Sequence, residues 1–377
     1  MTIGDALPGG DQSSLRHLNT RRVLRLLYEG PSLTISGVAR VTGLSRPTVQ
    51  GILTSLVDAR LLALDGHDTV PTGGRPAQRY RFAGEAGQLA GLDIGAHAIS
   101  ARVTDLAGRQ MAAARTAIDP GLTARQRIDA VVELLARIRP QGSPALWAAG
   151  AGSPGIIDDG VVRLSVAIPG WTGIRLAEEL GERLGCPVTA MKDANLAVLA
   201  EHRVGSAQGV AHVLYVHAGH RLGVGVLVDG RPFTGGSGAA GEIGRHPGLG
   251  WSTAPDKLLS DAGVGPGANS IEWVFSQARK GDRDAITAVG AYARALAQGV
   301  GAMALAVDPQ LIVVGGGIAR AGAAVLEPMR SHLADVLYEV PELAISALGD
   351  EAVAIGAIEA ARDRVRAELF TSDESPS

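Results

Sequence analysis

Gly91-Leu92-Asp93-Ile94-Gly95-Ala96-His97-Ala98-Ile99-Ser100-Ala101-Arg102-Val103-Thr104-Asp105-Leu106-Ala107-Gly108 decides how the rest of the chain is read. Apolar residues alternate through Ile99, Ala101 and Val103, and turn residues stand at Asp93 to Gly95 and at Asp105 to Gly108. The pattern predicts a strand, a tight turn, a second strand and a further turn. A carboxylate beside a glycine turn is also a place where backbone N–H groups approach a phosphate. An ordinary hairpin has the same signature, so its meaning depends on its flanks. Upstream lies one module, downstream another.

Upstream, residues 1–14 are expected to be disordered. Residues 19–28 put Val23, Leu24, Leu26 and Leu27 on a short amphipathic helix that stops at Gly30-Pro31. Further on, Ala39 is followed by Gly43 four residues later and by Val49 ten residues later. A helix-turn-helix needs that spacing: a small residue at the crossing, a glycine able to take positive φ in the turn, and an apolar plug on the second helix. Ser45 is a good N-cap, and Pro47 fits the first turn that it starts. Val49, Ile52, Leu53 and Leu56 mark the buried face, which turns Arg46, Thr48 and Gln50 outward beside Ser45. Strands are expected at 61–64 and 78–82, with Gly73-Gly74-Arg75-Pro76 between them.

Three helices and a two-stranded wing make a winged helix-turn-helix. Arg79 and Arg81 share one strand face and Arg75 sits in the wing approach, where phosphates or a minor groove would lie. Base readout would come from the start of the recognition helix in the major groove. A generic three-helix packing unit is the alternative.

Composition agrees with a two-part chain. At 377 residues it is too long for one ordinary core, so two or three domains are expected. The net charge of -3 is uneven, with +4 on residues 1–82 and -7 on the remainder. A basic end on an acidic body suggests a phosphate-bearing partner at that end. Cys186 is the only cysteine, which excludes a disulfide framework and a cysteine-rich zinc cluster. The polar N-terminus has no apolar signal-peptide region, and the longest apolar run, 299–307, is too short to span a bilayer. A reducing cytoplasm is the expected setting, with no membrane partner.

Downstream, residues 83–90 read as a small-residue hinge. Helices are expected at 124–139, 171–184, 196–203, 285–307 and 352–369, and strands at 145–150, 188–191, 213–215, 223–228 and 311–314. Asp229-Gly230 reads as a two-residue hairpin turn. Asp193 stands at a strand-to-helix junction, where a carboxylate serves as a general base, as an acceptor for a sugar hydroxyl, or simply as an N-cap. The segment Thr234-Gly235-Gly236-Ser237-Gly238-Ala239-Ala240-Gly241-Glu242 is dense in glycine, which lets backbone approach a ligand.

Taken in order, GLDIG (91–95), GSPGIID (152–158), KDANLAVLAEH (192–202), GAAGEIG (238–244), LIVVGGGIA (311–319) and GDEAVAIGAIEAA (349–361) resemble the ROK family of sugar kinases and sugar-responsive repressors. The resemblance covers nearly the whole chain, and the winged helix with its GGRP segment is similar to the repressor branch. It implies a two-lobed, ribonuclease-H-like α/β body of the actin and hexokinase type, commonly a homodimer. The expected division is 15–82 for the winged helix, 83–90 for a linker, 91–192 with 350–370 for the first lobe, 193–349 for the second, and 371–377 for a tail.

The resemblance places Asp193 on the family's catalytic base and Glu242 on its sugar-contacting glutamate. Lys192 replaces the asparagine that normally precedes the base, and Arg245 replaces the histidine after GEIG, with His246 one place late. Asp256 stands nearest to the last sugar-binding glutamate. The family's CxCGxxGC zinc segment is here Gly248-Leu249-Gly250-Trp251-Ser252-Thr253, so no metal is expected. Both phosphate loops depart from the kinase pattern, as Gly95-Ala96-His97-Ala98 and Gly219-His220-Arg221-Leu222-Gly223. A base alone cannot position and neutralise a γ-phosphoryl.

The expectation is therefore a DNA-binding regulator, a repressor of carbohydrate-related genes, with no cofactor and no enzymatic activity. Its partners would be a double-stranded operator, a second copy or a dimer of dimers, and a sugar or sugar derivative. That effector would be held by Asp193, Glu242, Asn195, Lys192, Arg245, His246 and Asp256. Lys192 and Arg245 either favour an anionic effector or pair with the carboxylates and seal the site. An ATP-dependent sugar kinase carrying a DNA-binding arm is the alternative.

Overall fold

The computed structural model describes residues 12–67, 77–218, 222–265 and 270–370. The chain opens with α1 (Gln12–Glu29), β1 (Leu33–Thr34), α2 (Ile35–Thr42), α3 (Arg46–Asp58), β2 (Leu62–His67) and β3 (Gln78–Phe82). Thr34 caps α2 by accepting the Gly37 N–H at 3.1 Å, and Gly43 ends it at φ +71°. Ser45 then caps α3 by accepting from the Thr48 N–H. Val49, Ile52, Leu53 and Leu56 are buried against Val23, Leu24 and Leu27 of α1. The three strands pair antiparallel in the order β1-β3-β2, which completes a winged helix-turn-helix.

The first lobe runs β4 (Gln88–Ile94), β5 (Ala98–Asp105), β6 (Gln110–Ala117), α4 (Ala124–Ile138), β7 (Leu146–Ser153), the hairpin β8 (Ile156–Asp158) and β9 (Val161–Leu164), α5 (Leu176–Leu184) and β10 (Val188–Lys192). The second runs α6 (Asp193–Val204), β11 (Val213–Ala218), β12 (Leu222–Val228), β13 (Arg231–Pro232), α7 (Ala254–Asp261), α8 (Ser270–Arg279), α9 (Arg283–Val307), β14 (Leu311–Gly315), α10 (Ala323–Ala334) and β15 (Glu342–Ile345). The closing helix α11 (Ala352–Phe370) returns to the first lobe.

Each lobe builds one five-stranded sheet, ordered β10-β7-β4-β5-β6 and β13-β12-β11-β14-β15. In both, three antiparallel strands are extended by two parallel ones, so the lobes repeat a single topology. The opening stretch is the β4–β5 hairpin, and Asp229-Gly230 turns β12 into β13 with φ of 51° and 71°. No helix among the described residues is long and apolar enough to cross a membrane.

Three expectations are corrected. Helix α1 begins at Gln12, inside the segment expected as a disordered tail; residues 1–11 and 371–377 lie outside the described residues. The expected linker 83–90 is packed rather than loose. Gly84 to Ala86 form a 3-10 turn, β4 has begun by Gln88, and Ala83, Leu89 and Ala90 are buried. Its residues are small because Gly84 sits against Ala107 and Gly87 against the Trp147 ring. The helix expected from 171 is shorter, starting at Leu176. Trp171 is fully buried before it, its indole N–H donating to Ser153 Oγ at 2.8 Å.

Where the winged helix meets the body there is one core. Val23, Leu24, Leu27 and Phe82 pack with Leu89 and Leu106 of the first lobe and with Ile358, Ala361 and Val365 of α11. The other half of α11 packs on α6, Val353 and Ala357 against Leu196 to Leu199. There Gly356 brings the helices into backbone contact, since a Cβ at that position would run into the Leu196 carbonyl oxygen.

Candidate functional site

Two surfaces carry the residues singled out by sequence. On α3, Ser45, Arg46, Thr48 and Gln50 are all exposed around the helix N-terminus. Ser45 Oγ and Thr48 Oγ1 also share a hydrogen bond at 2.8 Å, so these two hydroxyls stiffen the start of the helix. The wing arginines differ. Arg79 folds back onto Ser32, reaching Oγ at 3.0 Å and also the backbone carbonyl. Arg81 makes a two-pronged pair with Glu85 at 2.7 and 2.5 Å, with Asp65 at 3.9 Å, and holds the Glu85 carboxyl below its usual range. Both guanidiniums are thus engaged within the chain, which sequence spacing did not foresee. Arg75 lies outside the described residues.

The second surface is a cavity of about 490 Å³ between the lobes. It sits at the carboxyl ends of β7 and β10, where open α/β sheets bind ligands. Lys192, Asp193, Glu242, Arg245 and Asp256 all line it. Lys192 ends β10 and is 3% exposed; its Nζ lies 2.5 Å from Glu242 Oε1 across the cleft. Asp193 opens α6 and accepts the Ala194 N–H at 2.7 Å. Beside it, the Asp93 carboxyl is pushed up to about 7, chiefly by burial and then by the nearby Asp193, with Arg115 opposing.

Asn195 and His246 are not brought to the cavity. Asn195 is buried within α6, its Oδ1 without a hydrogen-bond partner among the described residues, and His246 is exposed, accepting the Gly248 N–H at 3.1 Å. His217, near the end of β11, lines the cavity with a buried Nδ1 that has no hydrogen-bond partner among the described residues, and sequence reading missed it. Its place two residues after buried Tyr215 on a strand was the available signal. Trp251 lines the cavity too, buried over Gly299 with its indole N–H donating to the Ala295 carbonyl at 3.0 Å. An aromatic plug therefore fixes the segment in which the resemblance implied zinc in other members. Among the described residues no three His, Cys, Asp or Glu side chains cluster as metal ligands.

The ROK family model matches residues 89–250 and 259–364, which takes in both lobes and the cavity wall except Trp251, Ser252, Pro255 and Asp256. The chain belongs to the ROK family. A MarR family model matches residues 18–69, so a MarR-type winged helix precedes the ROK body. The Bacillus spizizenii xylose repressor is 24% identical over 367 residues, spanning 92% of this chain and 95% of that protein. The glucokinase of Thermotoga maritima is 29% identical over 253 residues, 57% of this chain and 79% of the enzyme. The crystal structure of a ROK family transcriptional regulator, a homolog of the E. coli MLC protein, superposes with a TM-score of 0.73 at 19% identity. It covers 94% of this chain and 99% of that one, winged helix included.

Proposed function

We propose that this ROK protein is a sequence-specific DNA-binding transcriptional regulator, a repressor of carbohydrate-related genes, controlled by a sugar or sugar derivative in the cleft. One observation carries the reading: the exposed recognition face and the cleft belong to one continuous body, because α11 packs on α6 at one end and on α1 at the other. Likeness to a xylose repressor along nearly the full length supports it.

The mechanism is linkage. Effector binding changes the lobes' arrangement, and α11 passes that change to the winged helix. In a homodimer or a dimer of dimers, two recognition helices must match half-sites about 34 Å or a multiple apart. An effector that favours mismatched spacing lowers DNA affinity by its differential affinity for the two states. Arg46 and Gln50 read bases; Arg79 and Arg81, held inside the chain, shape the wing more than they neutralise phosphate.

A sugar kinase with a DNA-binding arm remains the second reading, resting on Asp193 and on the glucokinase likeness. Against it, a phosphate cradle needs free backbone N–H groups. The Gly95 N–H is given to the Ala98 carbonyl at 3.0 Å, and buried Arg127 holds the Gly95 and Ala96 carbonyls at 2.7 and 3.1 Å. The second phosphate loop, 219–221, lies outside the described residues.

Fluorescence anisotropy on the DNA upstream of the gene, at fixed salt with a sugar panel, tests the proposal. Tight binding released by one sugar is expected, with Arg46→Ala relaxing base preference by about 1–3 kcal/mol. No specific binding, together with ATP turnover abolished by Asp193→Asn, would establish the kinase instead.

A further inference from the structure

Given an effector in the cleft, the cavity's nitrogen donors define its chemistry. A buried ammonium has three protons to place, and each one left unmatched carries a desolvation cost. Lys192 is 3% exposed, yet among the described residues its Nζ makes one ion pair, with Glu242 at 2.5 Å, and no further hydrogen bond. That leaves unsatisfied donor capacity in the cavity wall. Arg245 lines the same cavity with an exposed side chain that makes no hydrogen bond or ion pair with any described residue. The buried Nδ1 of His217, without a hydrogen-bond partner among the described residues, is a third polar atom there.

A neutral hydroxyl offers a buried ammonium one weakly basic oxygen, which does not displace a carboxylate. An oxyanion offers two or three charged oxygens and does. We propose that the cavity takes an acidic sugar, one bearing a carboxylate or a phosphate, whose anion replaces Glu242 as the partner of Lys192 while Arg245 closes over it. Asp193 and Asp256 then accept the sugar's hydroxyls. Lys192 belongs to the first lobe and Glu242 to the second, so the exchange also undoes a bond across the cleft. Binding of the anion is thereby coupled to the lobes' arrangement.

Isothermal titration calorimetry on the full chain tests this at constant ionic strength. The probes are pentoses and hexoses, each in neutral, uronate and phosphorylated form, with inorganic phosphate and acetate as controls. One acidic sugar is expected to bind at least tenfold more tightly than its neutral parent, and the uronate and phosphate arms tell the two anions apart. Lys192→Met and Arg245→Gln should each weaken that acidic sugar at least tenfold and change the neutral parent less than threefold. Arg245 is exposed, so its variant keeps the test valid if Lys192→Met fails to fold. Tighter binding of a neutral sugar, or indifference of the acidic sugar to Arg245→Gln, overturns the acidic class and leaves the effector-controlled reading standing. No binding by any probe overturns both.

Discussion

The two halves of α11 are built by opposite means. Around Gly356 the helix meets α6 backbone to backbone, at the Leu196 carbonyl. Around Phe370 it meets the side chains of α1, with Arg25 Nη2 also donating to the Phe370 carbonyl at 3.5 Å. The Tyr28 and Phe370 rings pack edge-on at 5.4 Å, the Arg25 guanidinium lies 5.2 Å over the Phe370 ring, and Arg366 pairs with Glu29 at 2.7 Å. A backbone contact has no rotamers with which to adjust, whereas rings and long side chains re-form after small shifts. The comparison teaches where adjustment is easier: α11 is seated on α6 with no room to spare, and its junction with the winged helix is the more adjustable end.

Breaking the rigid end should cost most. In an exposed helix Gly→Ala gains about 0.5–1 kcal/mol, so the sign of Gly356→Ala decides the matter. With the Leu196 carbonyl in the way, the variant is expected to lose about 3 kcal/mol in urea unfolding followed by circular dichroism. A neutral or stabilised variant would show that the helices can separate freely.

Loosening the other end should cost less and act locally. Phe370 is half-buried, so Phe370→Ala is expected to cost about 2 kcal/mol, below the range for a fully buried ring. Hydrogen exchange should then quicken in α1 and stay unchanged in α6. Equal quickening in both helices would mean that the two ends are not mechanically distinct.

Much of this frame was legible in sequence because its signals are local. Caps and periodicity marked α3 and its exposed face, alternation marked the β4–β5 hairpin, and the order of the glycine loops placed five of the seven expected effector residues on one cavity. What was not legible depends on partners distant in the chain. Nothing near Arg79 announces Ser32, and sequence offers Lys192 the cleft carboxylates without choosing Glu242 among them. Residues 83–90 were misread for a different reason, because small residues signal close packing as readily as looseness. Helices α7 and α8 carry apolar faces that close over the second lobe's core, but they are only 8 and 10 residues long and were passed over.

The cleft end also has a pH axis. Asp93 is protonated in the folded chain up to about pH 7, against about 3.8 for a free carboxyl. Folding therefore favours its neutral form, and its contribution is fully present below pH 4 and lost as pH rises through about 7. Asp93→Asn mimics the neutral form. The difference in Tm between variant and wild type is expected to grow in the variant's favour from pH 5 to pH 8, by a few degrees. A difference independent of pH would place Asp93 in a solvated setting.

The smallest effect is expected from the ion pair at the adjustable end. Arg366 and Glu29 are both about one-third exposed or more, so solvent screens their attraction and ordering two long side chains offsets much of it. Arg366 also lies 5.6 Å over the Tyr28 ring, a contact worth about 0.5–1 kcal/mol at an exposed site. Arg366→Gln removes both and is expected to cost less than about 1 kcal/mol, and less still at 1 M salt, where the Debye length falls to about 3 Å. Read by the same hydrogen exchange in α1, a loss comparable to that of Phe370→Ala would make the junction an electrostatic clasp rather than an apolar one. A small, salt-sensitive loss leaves the rings as what joins the winged helix to α11.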